Sequence, residues 1–383
     1  LAHVSNVVET MKAAGGGLRN VVVGESRISS IDGARGILAY RGIDIHALAE
    51  ASTFEETVFL LHHGRLPSGD ELEACSADLA AARAVPEGVL DILRRLPQAT
   101  HPMTTLRTSV SALGAYDGEA EDPSQEALGR QARRLTARMA TLVAAIDRAR
   151  HGRDLVPPDP GLSHAANFLY MLRGERPDAA ASRAMDVALI LHADHEFNAS
   201  TFAARVAAST LADLHGAVTA ALATLKGPLH GGANEAVMRT LEAVGSPERV
   251  ESFVREAIAA KKKLMGFGHA VYKTEDPRAT QLRSLSRRLG EAAGETLWYE
   301  LSQRIEESVR REKGLYPNVD FYSASAYRVL GIPTDLFTPL FAVSRIAGWT
   351  AHVLEQLANN RLIRPESDYT GPRDVPYVPI EKR

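Results

Sequence analysis

Cysteine is almost missing from this chain: Cys75 is the only one in 383 residues. An intrachain disulfide framework is therefore excluded, and a reducing compartment is the expected setting. Basic excess is missing as well. Lys plus Arg number 44 against 47 Asp plus Glu, a formal net charge of -3. Bulk neutralisation of nucleic-acid phosphates is thereby excluded, while a local basic patch for a small anion is not. No apolar run reaches the ~20 residues that span a bilayer. The opening LAHVSNVVETMKAAGGGLRN has no basic segment followed by a long apolar core, so no secretory signal and a cytoplasmic location are expected. Gly15-Gly16-Gly17 reads as a loose linker behind an N-terminal leader. Strand signals are scarce too. Residues 20–42 carry short β-branched runs around Asp32-Gly33, a hairpin signal with no comparable partner elsewhere.

Helical periodicity supplies the rest, and the length favours two domains. Ser52-x-x-Glu55 reads as a capping box opening a helix through His63, stopped by Gly64. His62 and His63 at its end read as packing or dipole partners. Amphipathic helices are expected over Pro67–Ala84, Pro86–Leu96 and the stretch after His101-Pro102 to Leu113. Cys75, inside a helical run, reads as a buried or indifferent thiol. The acidic run Asp117–Asp122 reads as a surface loop, followed by a long helix over Ser124–Arg150 and, after a proline-rich connector, another to Leu172. From Ala179 to Gly227 small apolar residues predict a closely packed, deeply buried helix pair.

Chemistry gathers at a few places. Gly266-Phe267-Gly268-His269 joins a backbone able to approach a bulky ligand to an imidazole, and Asp276-Pro277 turns Arg278 toward the same space. His192-x-x-His195-Glu196 lies in an apolar run, where ionisable groups need a reason. Its order is wrong for a His-Glu-x-x-His zinc motif and the single cysteine is remote, so no metal is expected. A hydrogen bond to a neighbouring carboxylate suits His192, and an anion contact suits His195. His230 stands before Gly231-Gly232 at the start of a helix, where the dipole disfavours protonation and a neutral imidazole can donate to an oxyanion. Asp320 follows Pro317-Asn318 and precedes Phe321 and Tyr322, and partial desolvation makes a carboxylate a stronger base. Arg345 sits in an apolar helix and Arg364 just before Pro365. Two histidines, one base and three arginines suit proton abstraction beside a carbonyl on a substrate bearing two carboxylates.

In this order, GPLHGGANEAVM, GFGHAVYKTEDPR, PNVDFYSA, VSRIAGW and RPESDY resemble the citrate synthase family, as do GESRISSIDGARGILAYRGIDI, FEETVFLLHHGRLP and HPMTTLRTSVSAL. The resemblance covers nearly the whole chain. It implies an all-α two-domain fold with a small N-terminal β element. The large domain would be discontinuous (1–231 and 332–383) and the small one inserted (232–331). It implies a homodimer with shared active sites, no permanently bound cofactor, and oxaloacetate and acetyl-CoA as substrates, with no nucleic-acid or membrane partner. Asp320 would take a methyl proton from acetyl-CoA, His230 hold the enol oxygen, and His269 protonate the oxaloacetate ketone. His195, His230, Arg278, Arg345 and, from the partner subunit, Arg364 would bind oxaloacetate. Met265, Gly266, Phe267, Gly268, His269 and Lys273 would hold CoA, with Lys261–Lys263 as further candidates for its phosphates. The expected activity is citrate formation at entry to the tricarboxylic acid cycle. The alternatives are 2-methylcitrate synthesis from propionyl-CoA, dual specificity, or a catalytically silent helical scaffold.

Overall fold

The computed structural model describes Leu18 and residues 21–383. The Gly15–Gly17 linker and the leader lie outside the described residues. Three short antiparallel strands come first, in the order β1 (Ser29–Asp32), β2 (Ile37–Tyr40), β3 (Ile43–Asp44), with Ser29 opposite Tyr40 and Asp32 opposite Ile37. The turn between β1 and β2 takes four residues, not the two of a tight Asp-Gly hairpin. Asp32 Oδ1 accepts the N–H groups of Ala34 (3.1 Å) and Arg35 (3.0 Å), and Gly36 completes it at φ 67°.

Everything else regular among the described residues is helical. The α-helices are α1 (Ile45–Ala51), α2 (Phe54–His63), α3 (Gly69–Ala81), α4 (Glu87–Arg95), α5 (Pro102–Gly114), α6 (Gln125–Arg150), α7 (His164–Arg173) and α8 (Ala179–His192). They continue as α9 (Ala199–Ser209), α10 (Leu214–Leu225), α11 (Ala233–Val244), α12 (Val250–Ala259), α13 (Pro277–Ala293), α14 (Leu297–Lys313), α15 (Val319–Val329) and α16 (Phe337–Ala358). Local signals explain many ends: Ser68 and Glu71 form a reciprocal capping box, Ser124 caps α6, and Gly64 and Gly174 close α2 and α7 in the left-handed conformation.

Two local readings are corrected. The cap of α2 is Thr53, whose side chain accepts the Glu56 N–H. Ser52 ends α1 instead, and Glu55 turns inward to accept the His164 N–H at 2.7 Å. The small-residue stretch makes three helices, α8 to α10, because residues 193–198 and 210–213 leave the helical path. The acidic run is a surface loop, as expected, and ion pairs anchor it. Asp117, 3% exposed, pairs with Arg134 and faces His215, and Glu119 pairs with Arg130 and Arg134. His62 is a packing group, as expected. It is half-buried against Thr350, and desolvation pushes its pKa down to about 3, too low for a cationic dipole partner.

The organising helix is α16, buried along nearly its whole length and so placed at the centre. It packs against α2, α6, α8, α9 and α10. Its polar groups serve the C-terminal end of α8, whose last carbonyls have no partner within their own helix. Ser344 Oγ donates to Leu189 O, Arg345 Nε to His192 O at 2.7 Å, and Gly348 N to Ala193 O at 3.1 Å. Gly348 must be glycine, because a Cβ there would lie 3.0 Å from Asp194 Cβ and closer still to Ala193 O. Helices α11 to α15 pack largely on one another, with α13 also touching α1 and α8. The site lies where these two groups meet.

Candidate active site

The loop carrying His269 is stitched to the helix carrying Asp320. Gly268 N–H donates to Tyr316 O (2.9 Å), Asn318 N–H to Gly266 O (2.8 Å), and Asn318 Nδ2 to Gly268 O (2.9 Å). Asn318 Oδ1 meanwhile caps α15 by accepting the Asp320 N–H at 3.0 Å. Gly266 (φ 80°) and Gly268 (φ 76°) supply the left-handed turns. A side chain at Gly266 would also strike Val237 (2.7 Å) and Phe321 (2.9 Å), so the loop lies directly on α11 and α15.

His269 Nδ1 accepts the N–H groups of Val271 (3.0 Å) and Tyr272 (3.3 Å). An accepting Nδ1 puts the proton of the neutral ring on Nε2. Burial, and then the charge of Arg278, brings its pKa down to about 4. His230, in the connection between α10 and α11, is oriented the opposite way. Its Nε2 accepts the Ser200 N–H at 3.3 Å and lies 2.8 Å from Ser200 Oγ, which leaves its proton on Nδ1. Its pKa is also about 4, through burial and then Arg345. The neutrality expected of His230 is there, but burial causes it, where the sequence pointed to the helix dipole. His195 stands in the break between α8 and α9, its Nε2 3.1 Å from Tyr272 OH and its ring 5.1 Å from that of His269. Burial and Arg278 hold it well below the usual histidine range.

Asp320 lies in the first turn of α15 and keeps part of its surface open, while its Oδ1 is buried without a hydrogen-bond partner. Burial pushes its pKa up to about 7 against the opposing pull of Arg278. The aromatic ring coupled to it is Tyr327, two helical turns on. Tyr322, expected beside it, points away: its hydroxyl donates to Glu306 and Arg283 lies over its ring. Phe321 packs on Phe267 at 4.5 Å between centroids.

The two arginines that the structure brings here differ. Arg278, 2% exposed, is clamped by Asp276 through Nε (2.9 Å) and Nη2 (2.7 Å), and burial is outweighed so that its pKa rises above the ordinary guanidinium value. Arg345, 1% exposed, spends only Nε, on a backbone carbonyl, and lies over the Phe341 ring. Among the described residues no carboxylate reaches it within ion-pair distance, and burial lowers its pKa to about 10. A buried guanidinium without a counter-charge is costly unless an anion joins it. The whole set is mutually coupled: Asp320 feels Arg278 and Arg345, His230 feels Arg345, and His195 feels both arginines and His269.

Arg364 is not part of this cluster within the chain. It is exposed in the segment after α16, where Ile363 N–H donates to Ser209 Oγ at 3.0 Å. Ser209 ends α9 while Ser200, the partner of His230, begins it, so about 14 Å of helix separates the two. Met265 to Gly268 lie in the stitched loop. Lys273 is exposed and donates its N–H to Gly33 O, and Lys261–Lys263 are exposed beyond the end of α12, outside any helix. His192 is bonded by Nδ1 to Ala188 O, a backbone carbonyl where a carboxylate was expected, and packs on Phe341. Tyr272, Ser200, Asn318 and the clamping role of Asp276 were missed by sequence reasoning. Only Asn318 and Asp276, each next to a helix start, carried a local signal.

A match to the family described as "Citrate synthase, C-terminal domain" spans residues 17–366. The citrate synthase of Haloferax volcanii is 52% identical over 96% of this chain and 98% of its own length. The chain belongs to the citrate synthase family. Family relatives also include the 2-methylcitrate synthase of Shewanella oneidensis, 40% identical over 98% of this chain and all (100%) of its own. The fold agrees with that of Thermoplasma acidophilum citrate synthase, solved as a ternary complex with carboxymethyl coenzyme A and oxaloacetate, at a TM-score of 0.91, 36% identity, and coverage of 96% of this chain and 98% of that one. The mainly helical architecture with its small sheet is therefore the family's own.

Proposed function

We propose that this protein condenses acetyl-CoA with oxaloacetate and hydrolyses the resulting citryl-CoA to citrate and CoA. The observation that carries this reading is Arg345, a buried guanidinium with no ion-pair partner among the described residues, beside Arg278, whose Nη1 is uncommitted there. Two such cations suit the two carboxylates of oxaloacetate. Asp320, with a pKa near neutrality, takes a proton from the methyl group of acetyl-CoA. His230 Nδ1–H donates to the enol oxygen that forms. The enol carbon attacks the ketone carbon, His269 Nε2–H gives its proton to the ketone oxygen, and water then cleaves the thioester, releasing the CoA thiol.

Residues 232–331 are proposed to move as a small domain over the rest, with Met265–Gly268 backbone and Lys273 along the CoA. Arg364 completes the oxaloacetate site of a partner copy in a homodimer. That arrangement is supported by the exposed terminal segment, which carries Leu362, Tyr377 and Ile380 at 62%, 81% and 67% exposure. The same reading gives no resident cofactor and a cytoplasmic location. No helix among the described residues is long and apolar enough to cross a membrane.

The test is thiol release from acetyl-CoA by the purified chain. Release that depends on oxaloacetate supports the reading, and none in its presence overturns it. Propionyl-CoA defines the second reading, which the relatives named as 2-methylcitrate synthases favour. Acetyl-CoA is expected to win by about 10- to 200-fold in kcat/KM, the worth of one methylene in an apolar pocket.

A further inference from the structure

The β1–β2 hairpin touches both histidine-bearing loops, one at each end. At its outer end Ser29 Oγ donates to Asp194 Oδ2 and accepts the Glu196 N–H at 3.0 Å, while Ile31 N–H donates to Glu196 Oε1 at 2.8 Å. Tyr40, the register partner of Ser29, accepts the Asp194 N–H on its hydroxyl at 3.1 Å. The residue enclosed by these contacts is His195, and Glu196 is held at φ 48°, a left-handed conformation unfavourable for its side chain. At the turn end Gly33 O accepts the Lys273 N–H at 2.8 Å. A Cβ on Gly33 would lie 2.9 Å from the carbonyl carbon of Val271 and 3.1 Å from its Cγ1. Between those ends run about four residues of paired strand, some 13 Å. The two gripped loops meet directly, through Tyr272 OH and His195 Nε2 at 3.1 Å.

We infer that the β1–β2 hairpin is a positioning element for the reaction, setting the distance between the His195 loop and the His269–Tyr272 loop, with Gly33 as its contact point. Gly33 is not among the positive-φ glycines, so a methyl group there meets no backbone penalty and acts only through the Val271 contact. The inference rests on the reading that oxaloacetate lies between His195 and His269.

The test is oxaloacetate affinity, measured calorimetrically on the full chain, with kcat/KM for oxaloacetate alongside. Gly33→Ala is expected to lower both by about 10- to 100-fold, the scale of a displacement under 1 Å at a reacting group. Ala34→Ser, at an exposed position of the same turn, leaves both unchanged. Tyr272→Phe breaks the same linkage at its other end. The double variant Gly33→Ala/Tyr272→Phe should therefore fall within about 3-fold of the worse single one, since groups acting through one contact are not additive. Wild-type affinity in Gly33→Ala, or penalties that multiply in full, overturns the inference. If Gly33→Ala does not fold, Ser29→Ala takes its place with the same expected loss, and wild-type affinity there overturns the inference equally. Absence of oxaloacetate binding to the unaltered protein would instead sink the functional reading on which it rests.

Discussion

Arg278 and Arg345 are both buried in one site, yet they are held by opposite means. Arg278 arrives on the first turn of α13 with its own carboxylate, Asp276, two residues before it. Arg345 comes from the middle of the central helix and, among the described residues, hydrogen-bonds only to the terminal carbonyl of α8. The first is a finished ion pair with one face left over, and the second is an unfinished one. A neutralised guanidinium fixes a loop, whereas an unneutralised one stores a demand for an anion. Asp320, which feels both charges, connects the two.

The comparison can be broken most severely at that connection. Asp320→Asn keeps the shape and removes the base, so turnover should drop by about 100- to 10,000-fold while oxaloacetate binding measured calorimetrically persists. Near-normal turnover would take the base assignment away from Asp320.

The arginines themselves come next. Arg278→Met strands the Asp276 carboxylate in the interior and should cost roughly 3–5 kcal/mol of stability, whereas Arg345→Met removes a buried charge that no carboxylate pairs directly and should cost clearly less. Both should lose oxaloacetate binding. Denaturant unfolding of the two variants measures the contrast, and equal destabilisation would erase the distinction drawn between them.

A smaller effect concerns pH. With the Asp320 carboxyl pushed up to about 7, kcat/KM for acetyl-CoA should fall about tenfold per unit as pH drops below 7. His230 and His269, near 4, remain neutral throughout that range. The folded pKa lies above the unfolded one, so this group favours folding at low pH and that contribution is lost as pH rises through about 7. Asp320→Asn should therefore melt higher than the unaltered protein at pH 8, with the gap closing toward pH 5. A gap that widens on acidification contradicts the assignment.

The smallest expected effect tests how the loop side is held. Asn318→Ala removes the cap of α15 and should cost about 1 kcal/mol in stability. Because the same side chain holds Gly268 O, the KM for acetyl-CoA should rise with it. Thermal unfolding and steady-state kinetics on one preparation read both.

How far these features were legible depends on how local their causes are. The Asp276–Arg278 clamp is two residues long, and the turn signal at Asp276-Pro277 pointed to its place. The isolation of Arg345 is decided by what α8 presents some 153 positions away in the chain, which no window of sequence displays. Tyr322 reads as a neighbour of Asp320 in sequence, yet the helix turns it toward Glu306. Tyr272 carries no local signal, because its hydroxyl meets His195, 77 positions distant.

Hydrophobic periodicity and helix-end chemistry, which act within a few residues, were enough to determine a helical protein with one small β element. The motif order was enough to determine the family. Only the tertiary structure decided which nitrogen of each histidine carries the proton, which arginine lacks a carboxylate, and that Arg364 stands apart from the cluster. Those outcomes depend on partners brought together from distant parts of the chain, and on the burial those contacts create. Burial raises the Asp320 pKa and lowers those of the histidines, so the same packing that places these groups also sets their charge.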